Sequence, residues 1–560
     1  MSGCGERPGA ALIVAPRLER VGLILTATGI ASASAIRYAL DTGSGVAFAT
    51  GMLLSLALVA VAATRHAFRF AHLAAFTAFA LVSVGLGPVG DGVRAPMIVY
   101  VAAAALVTLA TPAAYRPLAV GGFALWTPAI RFFGPQPFAP SFPFALSIAA
   151  VLSLLGLVAL LVARDRVTPE ERLMRIGLGL LSVACVAAVV DRHASVASPG
   201  VLAPDDLFAI AAAVLFPVLA VARLRPALRD ALATGLALAI VALAGAVLIT
   251  GQGYQVDAVV AQHRATELFL QGENPYRSLD VIAALREFGL DPALGTDLED
   301  GTQVHSLSYP ALSFLVPAPF MALGITDVRV VYLGEILLLI PVLLRPIKLH
   351  WRPLVAAVVV GSAIITRQTI GAGVDPTYAL LLVLAVTFIR HRTASPILIG
   401  LAAASRQPAW FFIPFYLLET WRRDGGREAL RRGAIVAAAA IIPNLPFFFD
   451  APGAFLAGVS GPMLQALEPY GVGLVRFGLE GLLPLWPRIV YGLLSVAVLS
   501  GFLALLWRRA RTLPNGFMVF PSLVLWFSWR SAQNYFSFAG VFALLGDEEL
   551  RADGAPEAPA

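Results

Sequence analysis

The chain is short of charge, and it has almost no lysine or cysteine. Only 13% of its 560 residues are Asp, Glu, Lys or Arg, about half the share of a soluble domain. Two cysteines, Cys4 and Cys185, cannot supply a disulfide framework. No apolar segment precedes Cys4, so it does not read as a lipoprotein cysteine. No cleavable signal peptide is expected, because the first twenty residues are polar and the first apolar run, 21–36, has the length of a span. Lys348 is the single lysine among 40 basic residues, and the net charge of +6 comes mainly from loop arginines. That distribution does not describe a nucleic-acid surface.

What is present is apolar sequence. Hydrophobic residues make up 59% of the chain, in recurring runs of about 17–25 residues, the length that crosses a bilayer's hydrocarbon core. The expected fold is an all-α polytopic integral membrane protein with about 16–18 membrane helices, half-spans included. The Ala- and Arg-rich bias suits a GC-rich bacterial genome, which points to a bacterial plasma membrane. Arginine clusters mark cytoplasmic loops, for example Arg65–Arg69, Arg164–Arg175, Arg223–Arg229, Arg345–Arg352, Arg422–Arg432 and Arg508–Arg511. Threading them places both termini inside and the polar segment 251–308 outside, after about nine crossings. A ten-residue tail, 551–560, reads as disordered.

Two irregularities fall in the second half. The runs 309–323 and 327–343 cannot both cross, so one is a half-span. The run 395–420 has basic residues at both ends and must return to the side it left, with its break at Arg406-Gln407-Pro408. A broken helix at membrane depth is tolerated where it lines protein or a wet cavity. These features divide the chain into 1–228, a bundle of about eight spans without assigned role, and 229–550, the working module.

Residues 257–271 read as a surface helix. Asp257, Arg264, Glu267 and Gln271 share one face, with Val259, Thr266 and Leu270 opposite. Gly272 ends it, Asn274-Pro275 turns the chain, and a second short helix covers 278–288 up to Gly289. This arrangement resembles the first external loop of glycosyltransferase-C membrane enzymes, closest to the polyprenol-phosphate-mannose-dependent mannosyltransferase branch. "SYPALSFLVPAPFMAL" (308–323), "GAGVDPTYALLLVLAV" (371–386), "LIGLAAASRQPAWFFIPFYLL" (398–418) and "SWRSAQNYFSF" (528–538) are similar to later segments of that branch, in order. The sequence departs from it at Ala311, at Gly371-Ala372 and at Arg406, and in the number of spans before the loop. The resemblance covers about 231–546.

The resemblance implies an inverting transferase that moves a hexose, mannose in that branch, from a polyprenyl-phosphate-sugar donor to an extracytoplasmic glycolipid or glycan. No cofactor or metal is implied. A polyprenyl phosphate leaves as a stable anion, so the reaction needs one base for the acceptor hydroxyl and a cation for the phosphate. Asp257 is the candidate base, unless it only caps its helix. Arg406, Arg530, Arg367 and Arg264 are candidates for the donor phosphate, since a guanidinium binds two oxygens and stays charged. For Arg264 a plain helix-face charge is the competing reading, for Arg367 and Arg530 a lipid headgroup contact, and for Arg406 an ion pair with Glu335 at membrane depth. His305, Tyr309, Asn274, Tyr276 and Tyr535 are candidate substrate contacts, with interfacial anchoring the alternative for the tyrosines. Asp297, Glu299 and Asp300 form either a solvated loop or an oxygen-ligand cluster. The loop 451–484, carrying Gln465, Glu468, Tyr470 and Arg476, is placed to close over the acceptor. A lipid-linked-saccharide flippase and a non-catalytic scaffold remain as alternatives. A transporter would depend on Glu335 or Arg406 and tolerate Asp257→Asn.

Overall fold

The computed structural model describes residues 8–39, 45–62, 71, 73–78, 104–105, 108–109, 111, 115–130, 168–195, 204–251, 253–362, 365, 376–509, 513 and 516–545. Cys4, Arg367, the Gly371-Ala372 step, the apolar run 143–163, most of the apolar runs 70–88 and 95–112, and the tail 551–560 lie outside these residues. The described chain is mostly helical. Among the described residues, three helical stretches are long and apolar enough to cross a membrane: Pro226–Gly251, Gly426–Asp450 and Arg488–Arg509. They turn Leu228, Leu430, Ile441, Leu493 and Val496 outward, as lipid-facing surfaces do.

The polar insertion 253–327 is closed at its base. Asp327 caps the helix Val328–Leu344, and the buried Arg329 pairs with it at 2.7 Å. The same guanidinium donates to the Ile249 and Gly253 carbonyls, at 3.1 and 3.2 Å, at the end of Pro226–Gly251. The chain therefore leaves and re-enters the helical body at one point.

Within the insertion the helix Asp257–Leu270 forms as its sequence suggests, and Gly272, at φ 81°, ends it. Its buried stripe differs from the expected one. Leu268 is buried and Leu270 is 45% exposed, because Val260, Ala261, Ala265 and Leu268 all face a second short helix, Val281–Glu287, and the aromatic residues Tyr276, Phe314, Phe447 and Phe455. Asp280 caps that second helix and Gly289, at φ 70°, follows it. The helix pair is thus a small packed shelf and not a free amphipathic segment.

Of the two runs 309–323 and 327–343, the first is the interrupted one. It breaks into Leu312–Leu315 and Ala318–Ala322, which pack under the shelf helix, whereas Val328–Leu344 is continuous. The break in 395–420 occurs at the expected place. Ala394–Ser405 stops, Arg406 is extended at φ −150° and ψ 140°, and a short 3-10 turn, Gln407–Phe411, leads into Phe412–Asp424. Pro408 cannot donate to a helical carbonyl and its ring crowds the preceding turn.

Residue 228 marks the start of the resemblance but no seam in the packing. One hydrophobic core joins Leu18–Ile30, Leu118–Ala124 and Ile176–Val186 to Val355–Val360 and Val541–Leu545. The helix Gly45–Ala62 reaches further. Its Phe48, Met52 and Leu56 bury against Val472, Trp526 and Phe536, beside the loops of the second half.

Phe314 is fully buried against Phe269, Tyr276 and Phe447. Phe314→Ala is expected to cost about 3–5 kcal/mol, and to speed hydrogen exchange across 257–290 while Arg488–Arg509 stays protected. Unchanged exchange over 257–290 would show that the shelf is held from elsewhere.

Candidate functional site

The site is built where the shelf, the helix break and the loops around 296–303, 465–473 and 526–535 meet. Asp257 opens its helix as the first helical residue. The N-cap is Val256, with no side-chain cap, so Asp257 is not spent on capping. An acidic group in the first turn also sits well against the positive end of the helix dipole. Its Oδ2 accepts a hydrogen bond from the Thr296 hydroxyl at 2.9 Å. Burial raises the carboxyl above its ordinary range, while the Thr296 hydroxyl, the Ala258 N–H and the charges of Arg530 and Arg406 pull it down. The net effect is a carboxylate that is a stronger base than an exposed one.

Arg406 comes from the helix break. Because its backbone is extended, its side chain leaves the helix, and its guanidinium carbon lies 4.2 Å from the centre of the Tyr309 ring. The Tyr309 hydroxyl is raised to about 12, by burial first; Arg406 opposes the rise and Asp257 and Tyr535 add to it. That hydroxyl therefore stays protonated, a donor rather than a base, near neutral pH. Gln407 fixes the break by donating to the Ser308 and Val459 carbonyls.

Arg530 arrives on the third component. The segment 297–303 folds back on itself, with Asp297 opposite Gln303 and Leu298 opposite Leu467. Glu299 N–H donates to the Ala466 carbonyl at 2.7 Å, and Glu468 N–H to that of Asp297 at 3.0 Å. Tyr470-Gly471 then pairs in parallel with Arg530-Ser531. Trp529 Nε1 donates to the Leu467 carbonyl at 2.7 Å, and Arg530 to that of Glu468 at 3.2 Å. The three stretches form a small layered cover, with Thr296 entering at one edge and Arg530 at the other. The loop after residue 451 is thus paired with 297–299 on one side and 530–531 on the other.

Asp257, Arg406, Arg530, Tyr309 and Tyr535 are therefore brought together, from four stretches of chain. Other candidates stand apart. Arg264 is engaged by Glu267 at 2.9 Å and Glu287 at 3.5 Å, which is the helix-face reading. Asn274 caps its own turn and ties it to Asp450 Oδ2 at 2.8 Å and the Phe447 carbonyl at 3.2 Å. Tyr276 is buried and donates to the Tyr309 carbonyl at 2.7 Å. The Asn-Pro-Tyr turn thus positions the backbone beneath Tyr309. His305 is exposed and bonded to the capping Asp280 at 2.9 Å. Asp297 accepts from Gln303 at 3.1 Å, and Asp300 from the Thr302 hydroxyl at 2.6 Å. Among the described residues no three His, Cys, Asp or Glu side chains gather as a metal site. Glu335 takes the Thr377 hydroxyl at 2.8 and 3.0 Å.

Thr296 escaped the sequence reading, since nothing local distinguishes it from other loop threonines. Its partner lies 39 residues away. Neither a family model, nor a curated protein, nor a solved structure matches the chain.

A raised folded-state carboxyl means that folding favours the protonated form. The contribution of Asp257 to stability is fullest below the ordinary value of about 3.9, and it is lost as pH rises through the higher folded value. Asp257→Asn is therefore expected to melt above wild type at neutral pH, with the gap closing on acidification toward pH ~4. Identical melting at both pH values would rule out a desolvated carboxylate.

Proposed function

We propose that the chain is a membrane glycosyltransferase that moves a hexose, mannose by resemblance, from a polyprenyl-phosphate-sugar to an extracytoplasmic glycolipid or glycan. The observation that carries this reading is the meeting of one desolvated carboxylate, Asp257, with the two arginines Arg406 and Arg530. Asp257 takes the proton of the acceptor hydroxyl as its oxygen attacks the anomeric carbon. The bond from that carbon to the phosphate oxygen breaks with inversion. Arg406 and Arg530 hold the departing phosphate, whose charge develops where the cations already stand. Tyr309, kept protonated, donates to a sugar or phosphate oxygen, and Tyr535 lies beside it.

The wider arrangement belongs to the same reading. It has about 16–18 membrane helices in a glycosyltransferase-C-like module behind an N-terminal bundle. Both termini are cytoplasmic and the shelf lies on the outer leaflet of a bacterial plasma membrane, where a lipid-linked donor presents its sugar.

Transfer of labelled sugar from synthetic polyprenyl-phosphate-mannose to extracted membrane glycolipids tests this. Asp257→Asn should lower turnover by about 10²- to 10⁴-fold, the range of a lost general base. Arg406→Lys should weaken donor binding, because a lysine has no planar fork for two phosphate oxygens. Full transfer by Asp257→Asn would overturn the assignment. Substrate movement without transfer, abolished by Glu335→Gln, would favour the transporter.

A further inference from the structure

The far end of the helical body carries a separate feature. The helices Phe412–Asp424 and Gly426–Ile441 are joined through the single residue Gly425, at φ 87°, and Arg488–Arg509 packs beside the first. Together they enclose an open trough of about 730 Å³, within the range of small-molecule sites. Its walls include Leu417, Leu430 and Leu503, and Trp421 and Trp507 stand at one end with Arg508. The two indoles meet edge to face at 6.1 Å, each about half exposed.

This trough is remote from Asp257. Arg488, at the other end of its helix, donates to the Gln465 carbonyl in the loop cover. The 22 residues from there to Arg509 span about 33 Å, close to the hydrocarbon thickness of a bilayer. Phe412–Asp424 likewise starts just after the Arg406 break and ends at the trough. Tryptophans at the end of an apolar helix mark a membrane–water boundary, and basic pockets between helices at that depth suit acidic lipid headgroups. Arg422 and Arg423 are committed to Glu419, at 2.6 and 2.5 Å. Arg508 is exposed and forms no ion pair among the described residues.

We propose that this trough seats one anionic phospholipid of the leaflet opposite the candidate site, with an acyl chain along Leu417, Leu430 and Leu503 and its phosphate against Arg508. The apolar walls exclude a polar solute, and Arg508, the cationic residue of the described lining, selects headgroup charge. The proposal stands whether or not the chain transfers sugar.

Delipidated protein in neutral detergent can be titrated with phosphatidylglycerol and with phosphatidylcholine of the same chains, and bound lipid counted by native mass spectrometry. One phosphatidylglycerol should bind with about fivefold preference, the factor that one arginine near an acidic headgroup supplies. Arg508→Gln should bring the two lipids level. Gly433→Leu should remove the tight equivalent of both, since a side chain there meets Leu417 at ordinary contact, 3.6 Å, and fills the trough. Ala434→Leu fills the same space if the first variant melts low without lipid. Equal binding of the two lipids by wild type, or a preference that survives both Arg508→Gln and the filling variants, would overturn the proposal. So would a dimer that fills the trough and dissociates in Gly433→Leu.

Discussion

The helix that approaches the site stops at Ser405, three residues before Pro408. A proline inside a helix has no N–H for the ladder and crowds the turn before it, so Arg406 is left extended between two helical pieces. Three things depend on that interruption. The Arg406 guanidinium is free to lie over Tyr309. Gln407 is free to bind the Ser308 and Val459 carbonyls, which holds the shelf side and the outer loop to the break. The following helix, Phe412–Asp424, is offset far enough to run to the opposite end of the body. A continuous helix would keep Arg406 within its own cylinder, and Asp257 would lose one of its two cationic neighbours.

The parts of this site that could be read from sequence are those set by short-range chemistry. Proline breaks a helix at its own position, glycine accepts the positive φ that ends one, and an apolar run has a length. These rules place the break at Arg406-Gln407-Pro408 and the helix ends at Gly272 and Gly289. They do not place Thr296 against Asp257, or Leu467 between Leu298 and Trp529. Such contacts join loops far apart in sequence through main-chain groups or through side chains that look like any other loop residue, so no local pattern announces them. The same limit explains Asn274 and Tyr276. The motif drew attention to their side chains as substrate contacts, whereas the fold uses both to fix the backbone under Tyr309. Arg264 shows the converse, a charge whose neighbours Glu267 and Glu287 are within reach on and beside its own helix.

The first half of the chain acquires a physical role from its packing. The core that it shares with Val355–Val360 and Val541–Leu545 makes the two halves one body. Phe48, Met52 and Leu56 support Val472 and Trp526 from behind, and the Trp526 carbonyl in turn accepts the Leu474 N–H at 2.9 Å. The segments that carry Arg530 and Tyr535 therefore rest on an N-terminal helix. Sequence periodicity gave that helix an apolar identity but no partner.

The seam between Tyr470-Gly471 and Arg530-Ser531 is laid down by backbone pairing, with Gly471 at φ 134° and Ser531 oxygen atoms where a side chain would stand, and the Arg530 guanidinium lies over the Tyr470 ring. The Gly473 N–H adds a bond to the Ser531 hydroxyl at 2.7 Å. Main-chain pairing of this kind is indifferent to most side chains but intolerant of a change in length. The cover can thus drift in sequence, and so in the shape it offers an acceptor, as long as register is kept. Grafting a relative's version would mean moving 295–303, 465–473 and 526–533 as a single cassette.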